Sequence, residues 1–243
     1  MLLDPRNGPE WDLAPFDGPR VRYLVASTPR TGSTLLCRAL WDTGRVGAPK
    51  EYCNPMQLRD WSLRRGSRSA RLLRGPLVGL AGRGWGRGRL DQHLAHVESL
   101  RTGPSGHFGM KVHRHHFDRW GSLEAQVVVR IVREDRVAQA VSWARARQTN
   151  RWADFQSEQL RPRYSRRLIQ ACLRDIASAE AAWERDFPQA PVVTYEQLLE
   201  DLSGVTSRVV ALLGESWAGQ VAPALSRQGD AVNEEWKTRF AGR

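Results

Sequence analysis

Ser27-Thr28-Pro29-Arg30-Thr31-Gly32-Ser33-Thr34 stands between an apolar run and a helical pattern, and it constrains the fold more than any other feature. Tyr23-Leu24-Val25-Ala26, just before it, reads as a buried strand. From Ser33 onward, Leu35, Leu36, Ala39 and Leu40 recur at helical spacing until Gly44, a helix stop. A chain that opens strand, loop, helix is starting a parallel α/β domain. Such a loop aims backbone N–H groups and the positive end of a helix at an anion.

The later pattern agrees. Phe108 to His113 predicts a second strand. Ala125 to Val132, with Val127, Val128, Val129, Ile131 and Val132, predicts a third through its β-branched density. Val192-Val193-Thr194-Tyr195 predicts a fourth. Between them, Val137, Ala140, Val141 and Ala144 share a helical face. Tyr164 to Phe187 forms the longest helical pattern, ended by Pro188. Leu198 to Leu213 reads as helical, interrupted near Ser203-Gly204. The fold class is α/β, with a mostly parallel sheet flanked by helices. Residues 1–19, rich in Pro, Asp and Gly, read as an N-terminal arm, and residues 20–243 as one domain.

Composition narrows the partners. The chain has 243 residues, with 37 basic against 26 acidic and a net charge of +11. Its only lysines are Lys50, Lys111 and Lys237, so arginine carries nearly all of that charge. A positive field suits phosphate, sulfate, nucleic acid or an acidic membrane face, and does not choose among them. Residues 59–90 hold nine arginines, seven glycines and a single acid, Asp60. They read as an irregular insertion over the top of the domain. Cys37, Cys53 and Cys172, without C-x-x-C spacing, argue against a disulfide scaffold or zinc finger. No signal-peptide pattern opens the chain, and no apolar run reaches membrane-spanning length, so a cytoplasmic protein is expected.

Gly32 allows close backbone approach to an anion, Ser33 and Thr34 add hydroxyl donors, and Arg30 adds a charged fork. The lysine and first glycine of the Walker A pattern are missing, which counts against a nucleotide kinase.

Pro29 to Thr34 resembles the 5′-phosphosulfate loop of sulfotransferases that use 3′-phosphoadenosine 5′-phosphosulfate (PAPS). Leu24 to Ser27 before it, and Gly47-Ala48-Pro49-Lys50-Glu51-Tyr52 after it, resemble the bacterial trehalose 2-sulfotransferase family. Arg133 to Trp143, running on through Arg147-Gln148-Thr149, resembles that family's 3′-phosphate segment. Arg227-Gln228 and Glu234-Glu235-Trp236 resemble its C-terminal cofactor segment. These segments keep the family order; residues 55–105, including the Arg/Gly-rich insertion, match poorly. The resemblance implies a P-loop-like three-layer domain, PAPS as donor with no metal, and a small-molecule hydroxyl acceptor, a sugar. It also implies a homodimer and no nucleic-acid partner.

The resemblance assigns Arg30, Thr31, Gly32, Ser33 and Thr34 to the 5′-phosphate. It assigns Arg133, Ser142, Arg227, Gln228 and Gly229 to the 3′-phosphate. From the residues alone, Arg133 would more readily cap through Glu134 or Asp135. The acceptor hydroxyl needs a general base. Glu51 matches the carboxylate of the trehalose-type family. His113, in Met110-Lys111-Val112-His113, matches the base of animal cytosolic sulfotransferases. Lys111 could reach the sulfuryl oxygens in either case. His113, His115 and His116 invite a metal reading that no nearby acid or cysteine supports. Trp152, Trp183 and Trp217 read as core or interface, and Trp143 and Trp61 as candidate sugar platforms. Polyanion or nucleic-acid binding through the arginine-rich stretch is the alternative to an enzyme.

Overall fold

The computed structural model describes residues 2–120, 123–152, 156, 160–222 and 231–242. Its sheet has four parallel strands: β1 (Val21–Ser27), β2 (His107–His113), β3 (Val127–Val132) and β4 (Val192–Thr194). Their spatial order is β2-β1-β3-β4. The helices are α1 (Ser33–Asp42), α2 (Pro55–Arg64), α3 (Arg87–Arg101), α4 (Arg114–Trp120), α5 (Arg136–Thr149), α6 (Arg166–Asp186), α7 (Tyr195–Glu200), α8 (Leu202–Leu212) and α9 (Ala231–Ala241).

The period of two along β1 builds the layers. Tyr23 and Val25 point into one core, with Leu36 and Leu40 of α1 and Val205 and Val209 of α8. Leu24 and Ala26 point into the opposite core, with Leu58 and Trp61 of α2, Leu90 and Val97 of α3, and Met110. Helices therefore cover both faces, as a fully buried parallel sheet requires. A third cluster joins α5, α6 and α9 through Ala140, Val141, Ile169, Ile176 and Trp236. No described helix is long and apolar enough to cross a membrane.

The Arg/Gly-rich stretch is more regular than its composition implies. Asn54 caps α2 by accepting from the Gln57 N–H, and Pro55 starts the helix where its missing N–H costs nothing. Residues 69–72 and 75–80 form 3-10 turns, and α3 begins at Arg87, inside the glycine run. The reading of these residues as irregular is therefore corrected. Buried Leu58, Trp61, Leu90 and Val97 secure the two helices against the sheet, whereas local propensity favours loop.

Two boundaries also move. Tyr195 opens α7 rather than ending a strand, because Thr194 and Gln197 form a reciprocal capping box. The helix break falls at Asp201, not at Ser203-Gly204; Asp201 ends α7 and caps α8 through the Gly204 N–H.

The N-terminal residues are fastened to the domain by buried charge. Asp60 is fully buried and accepts from the N–H groups of Leu3 and Asp4 and from the Asn7 amide. It also pairs with Arg59 at 2.8 Å. Asp4 in turn meets Lys50 at 2.9 Å. Asp60→Ala would leave Arg59 buried without its carboxylate and three donors unpaired. The expected loss is about 3–5 kcal/mol of unfolding free energy, read by urea denaturation. A loss under about 1 kcal/mol would refute this account.

Candidate active site

Because all four strands are parallel, their C-terminal ends share one edge of the sheet. The segments leading to α1, α4, α5 and α7 therefore gather there. β1 is central, with chain crossovers leaving to β2 on one side and β3 on the other. This reversal opens a crevice where ligands collect. A cleft of about 1860 Å³ lies at this edge, larger than one small ligand needs.

One end of the cleft gathers the start of α1 and two arginines, Arg30 and Arg133. Gly32 caps α1 with φ +77°, and a Cβ there would lie 2.4 Å from the Tyr195 ring. Only glycine meets both demands, and the first N–H groups of α1 lack intrahelical acceptors by geometry. Gln139 of α5, fully buried, holds the loop by donating to Thr28 Oγ1 and the Pro29 carbonyl, both at 2.8 Å. The Thr31 hydroxyl donates to the Thr28 carbonyl and is buried.

Arg30, half-buried and at φ +69°, donates to Ser142 Oγ at 2.9 Å and to the Trp152 carbonyl at 3.1 Å. The loop after β1 and helix α5, more than a hundred residues apart, therefore meet. Burial pulls the Arg30 guanidinium down to about 10, helped by Arg133, Arg151 and Arg145 nearby. It stays protonated at neutral pH, in a cluster of like charges that a bound anion would relieve. Arg133 does not use Glu134 or Asp135 as a cap. Its guanidinium lies 4.7 Å from the centre of the Tyr195 ring, and its buried Nε has no hydrogen-bond partner. Asp135 instead caps α5 and pairs with Lys237.

The other end holds a compact ion cluster. Lys50 forms a parallel bridge with Met110, and its carbonyl accepts from the Lys111 N–H at 3.0 Å. This edge contact sets Glu51 beside β2. Glu51 Oε1 meets Lys111 Nζ, and His113 Nε2 at 3.2 Å. Glu51 Oε2 accepts from the Asn54 amide at 2.8 Å. Lys111 also donates to Thr34 Oγ1 at 2.8 Å, which ties the cluster to the anion-binding loop. His113 Nδ1 lies 2.9 Å from Ser27 Oγ, its register partner on β1. Burial alone would raise the Glu51 carboxyl, but Lys111 and His113 overcome it and hold the group well below the usual carboxylate range.

Arg30, Gly32, Ser33, Thr34, Glu51, Lys111, His113, Arg133 and Ser142 all line this one cleft. Thr31 is buried beneath it, and Arg227, Gln228 and Gly229 lie outside the described residues. One tryptophan expectation is corrected. Trp61 is fully buried against Tyr52, so it cannot serve as a sugar platform. Trp152 is 43% exposed and lines the cleft, with Trp143. Trp183 is buried as expected, donating to the Ser27 carbonyl. Sequence reasoning gave no role to Ser27, Asn54, Gln139 or Tyr195. Only Asn54 carried a signal, the helix-start pair Asn54-Pro55. Among the described residues, no three His, Cys, Asp or Glu are grouped to hold a metal.

An α/β domain with a parallel sheet, a donor-rich loop at a helix start and a carboxylate–lysine–histidine cluster in one cleft has the parts of a group-transfer enzyme. The Stf0 sulphotransferase family matches residues 22–242, and the chain belongs to that family; it is a sulfotransferase. It is 28% identical over 257 residues to a trehalose 2-sulfotransferase of Mycolicibacterium smegmatis, covering 90% of this chain and 93% of the relative. It is 27% identical over 255 residues to the Mycobacterium tuberculosis trehalose 2-sulfotransferase, with the same coverage. The sulfotransferase domain of the Synechococcus PCC 7002 olefin synthase is similar at TM-score 0.45 and 16% identity, covering 96% of this chain and 98% of that one.

Proposed function

We propose that this enzyme transfers a sulfuryl group from PAPS to a hydroxyl of a carbohydrate or glycosylated small molecule, with Glu51 as general base. The observation that carries the reading is the juxtaposition through Thr34. Its hydroxyl touches Lys111, and Lys111 touches Glu51, so a single side chain links the anion seat to the base candidate. The residues fit the donor. Arg133 offers a buried, unpartnered Nε, and Arg30 sits among like charges. Arg30 and the backbone of residues 31–34 would hold the 5′-phosphate, and Arg133 with Ser142 the 3′-phosphate. Bound, the donor supplies a sulfuryl group whose bond to the 5′-phosphate breaks as one to the acceptor oxygen forms.

The chain's own residues do the rest by position and fixed charge. Glu51 is ionised, faces the cleft and can take the acceptor's hydroxyl proton at a carboxylate oxygen. Lys111, held by Thr34 and Glu51, stands where negative charge gathers during transfer. As it turns toward that charge it releases Glu51, which becomes a stronger base. Arg30 stabilises the departing phosphate. His113 is the second reading for the base, favoured by one observation: Lys111 holds Glu51 Oε1, which weakens that oxygen's hold on a proton, and the His113 ring lies 3.2 Å away. Trehalose is the first acceptor to test, from the names of the mycobacterial relatives. A cytoplasmic homodimer is the expected setting, and the three buried free cysteines suit a reducing compartment.

The test uses the purified chain with radiolabelled PAPS and a panel of sugars and glycosides. Label should pass to at least one acceptor, and calorimetry should show 3′,5′-adenosine bisphosphate binding. If that nucleotide does not bind, the donor assignment is wrong.

A further inference from the structure

The arginine-rich stretch is not used by the reaction, and the structure gives it a definite character. Between Asp60 and Asp91 there is no acidic residue. Arg65, Arg68, Arg71, Arg74, Arg83 and Arg89 are all exposed. No carboxylate pairs with Arg68, Arg71, Arg74 or Arg83 among the described residues. Interleaved with them are Leu72, Leu77 and Leu80, exposed at 75%, 50% and 40%. Exposed large apolar side chains are ordinarily scattered; here three fall within nine residues.

The segment is held in place rather than loose. Ala70 and Ala81 are buried, and the Leu73 carbonyl accepts from Arg59. The same turn reaches the active-site cleft, since Pro76 and Val78 line it together with Leu3 and Met56.

We propose that residues 65–89 dock on an anionic lipid surface and bring the apolar side of the cleft mouth against it. The acceptor would then be a membrane-borne amphiphile whose hydroxyl enters the cleft. Arginine beside exposed leucine is the composition that binds the boundary between headgroups and acyl chains. A nucleic-acid strand would use the arginines but has no partner for three aliphatic side chains. Its usual stacking platforms are also missing: the stretch's one solvent-reaching aromatic, Trp85, is half-buried, with Arg89 over its ring and His93 at its edge.

Vesicle flotation of the full chain tests this without reference to the sulfuryl donor, so it stands or fails separately from the reaction. The protein should partition onto vesicles containing phosphatidylglycerol at least about tenfold more than onto phosphatidylcholine alone, and less as salt rises. The triple variant Leu72→Ser, Leu77→Ser, Leu80→Ser should lose about tenfold or more of that partition. The quadruple variant Arg68→Ser, Arg71→Ser, Arg74→Ser, Arg83→Ser should lose the preference for anionic vesicles. Both should keep their thermal midpoint and 3′,5′-adenosine bisphosphate binding, since the altered side chains are exposed. Absence of vesicle binding, or equal binding to both lipids, overturns the proposal. So does a single-stranded oligonucleotide that binds more tightly than the vesicles and ignores the leucine changes; the surface would then be one for nucleic acid.

Discussion

Glu51→Gln should lower the rate of sulfuryl transfer about 10³-fold while leaving 3′,5′-adenosine bisphosphate affinity within a few-fold. The amide keeps the shape of the side chain and can still accept from Lys111 at its carbonyl, with its NH2 turned toward Asn54, but it cannot take the acceptor's proton. Positioned general bases contribute about 10²–10⁴-fold, so the loss belongs in that range. The lost negative charge also takes the Glu51 counter-ion from Lys111, which weakens its placement further.

The pH dependence separates the two base readings. Lys111 and His113 overcome the effect of burial and hold the folded carboxyl below its ordinary value near 4.5. The stability from this pairing is complete above that value and is lost as pH falls through the lower folded one. With Glu51 as base, kcat/KM in single-turnover assays should stay level from about pH 8 down to about pH 5. Near-full transfer by Glu51→Gln, with a falling acid limb removed by His113→Ala, would move the role to His113.

The second large effect is on donor binding. Arg133→Ala should weaken 3′,5′-adenosine bisphosphate binding about 10²-fold, with little change in folding free energy. Hydrogen bonds to charged groups contribute about 1.5–3 kcal/mol, a factor of roughly 10 to 150. The buried Nε of Arg133 has no protein partner, so its removal breaks no internal hydrogen bond from that atom. Among the described residues its guanidinium lies against the Tyr195 ring, and losing that contact should cost about 0.5–1 kcal/mol. Arg30→Ala should weaken binding as well, but it also cuts the links to Ser142 and Trp152 and so disturbs the cleft. Calorimetry on both variants checks this. Unchanged affinity in Arg133→Ala would remove the residue from the donor site.

The strands were legible because their cores are made locally. β-branched density in β3 and the apolar run in β1 exceed anything a loop would carry. The loop before α1 was legible for the same reason, since its glycine and hydroxyls are consecutive. Helices α2 and α3 were not, because arginine and glycine hide a few buried positions that only the sheet behind them makes decisive. The break at Asp201 was missed because the carboxylate caps the next helix, a role that depends on which way the chain turns. Trp61 is core rather than a sugar platform, since composition does not say which side of a helix faces a cleft.

Sequence alone determined the order of the four strands, the glycine and hydroxyl loop after the first of them, the family pattern and the residues proposed for the chemistry. Only the tertiary structure decided which of them meet. Glu51 and Lys111 are sixty residues apart, and the Lys50–Met110 bridge brings them together. Arg30 and Ser142 meet because β1 and β3 are parallel neighbours and their following segments leave the same edge of the sheet. Such contacts depend on strand register and on the packing of two cores, and no local stretch of residues carries that information.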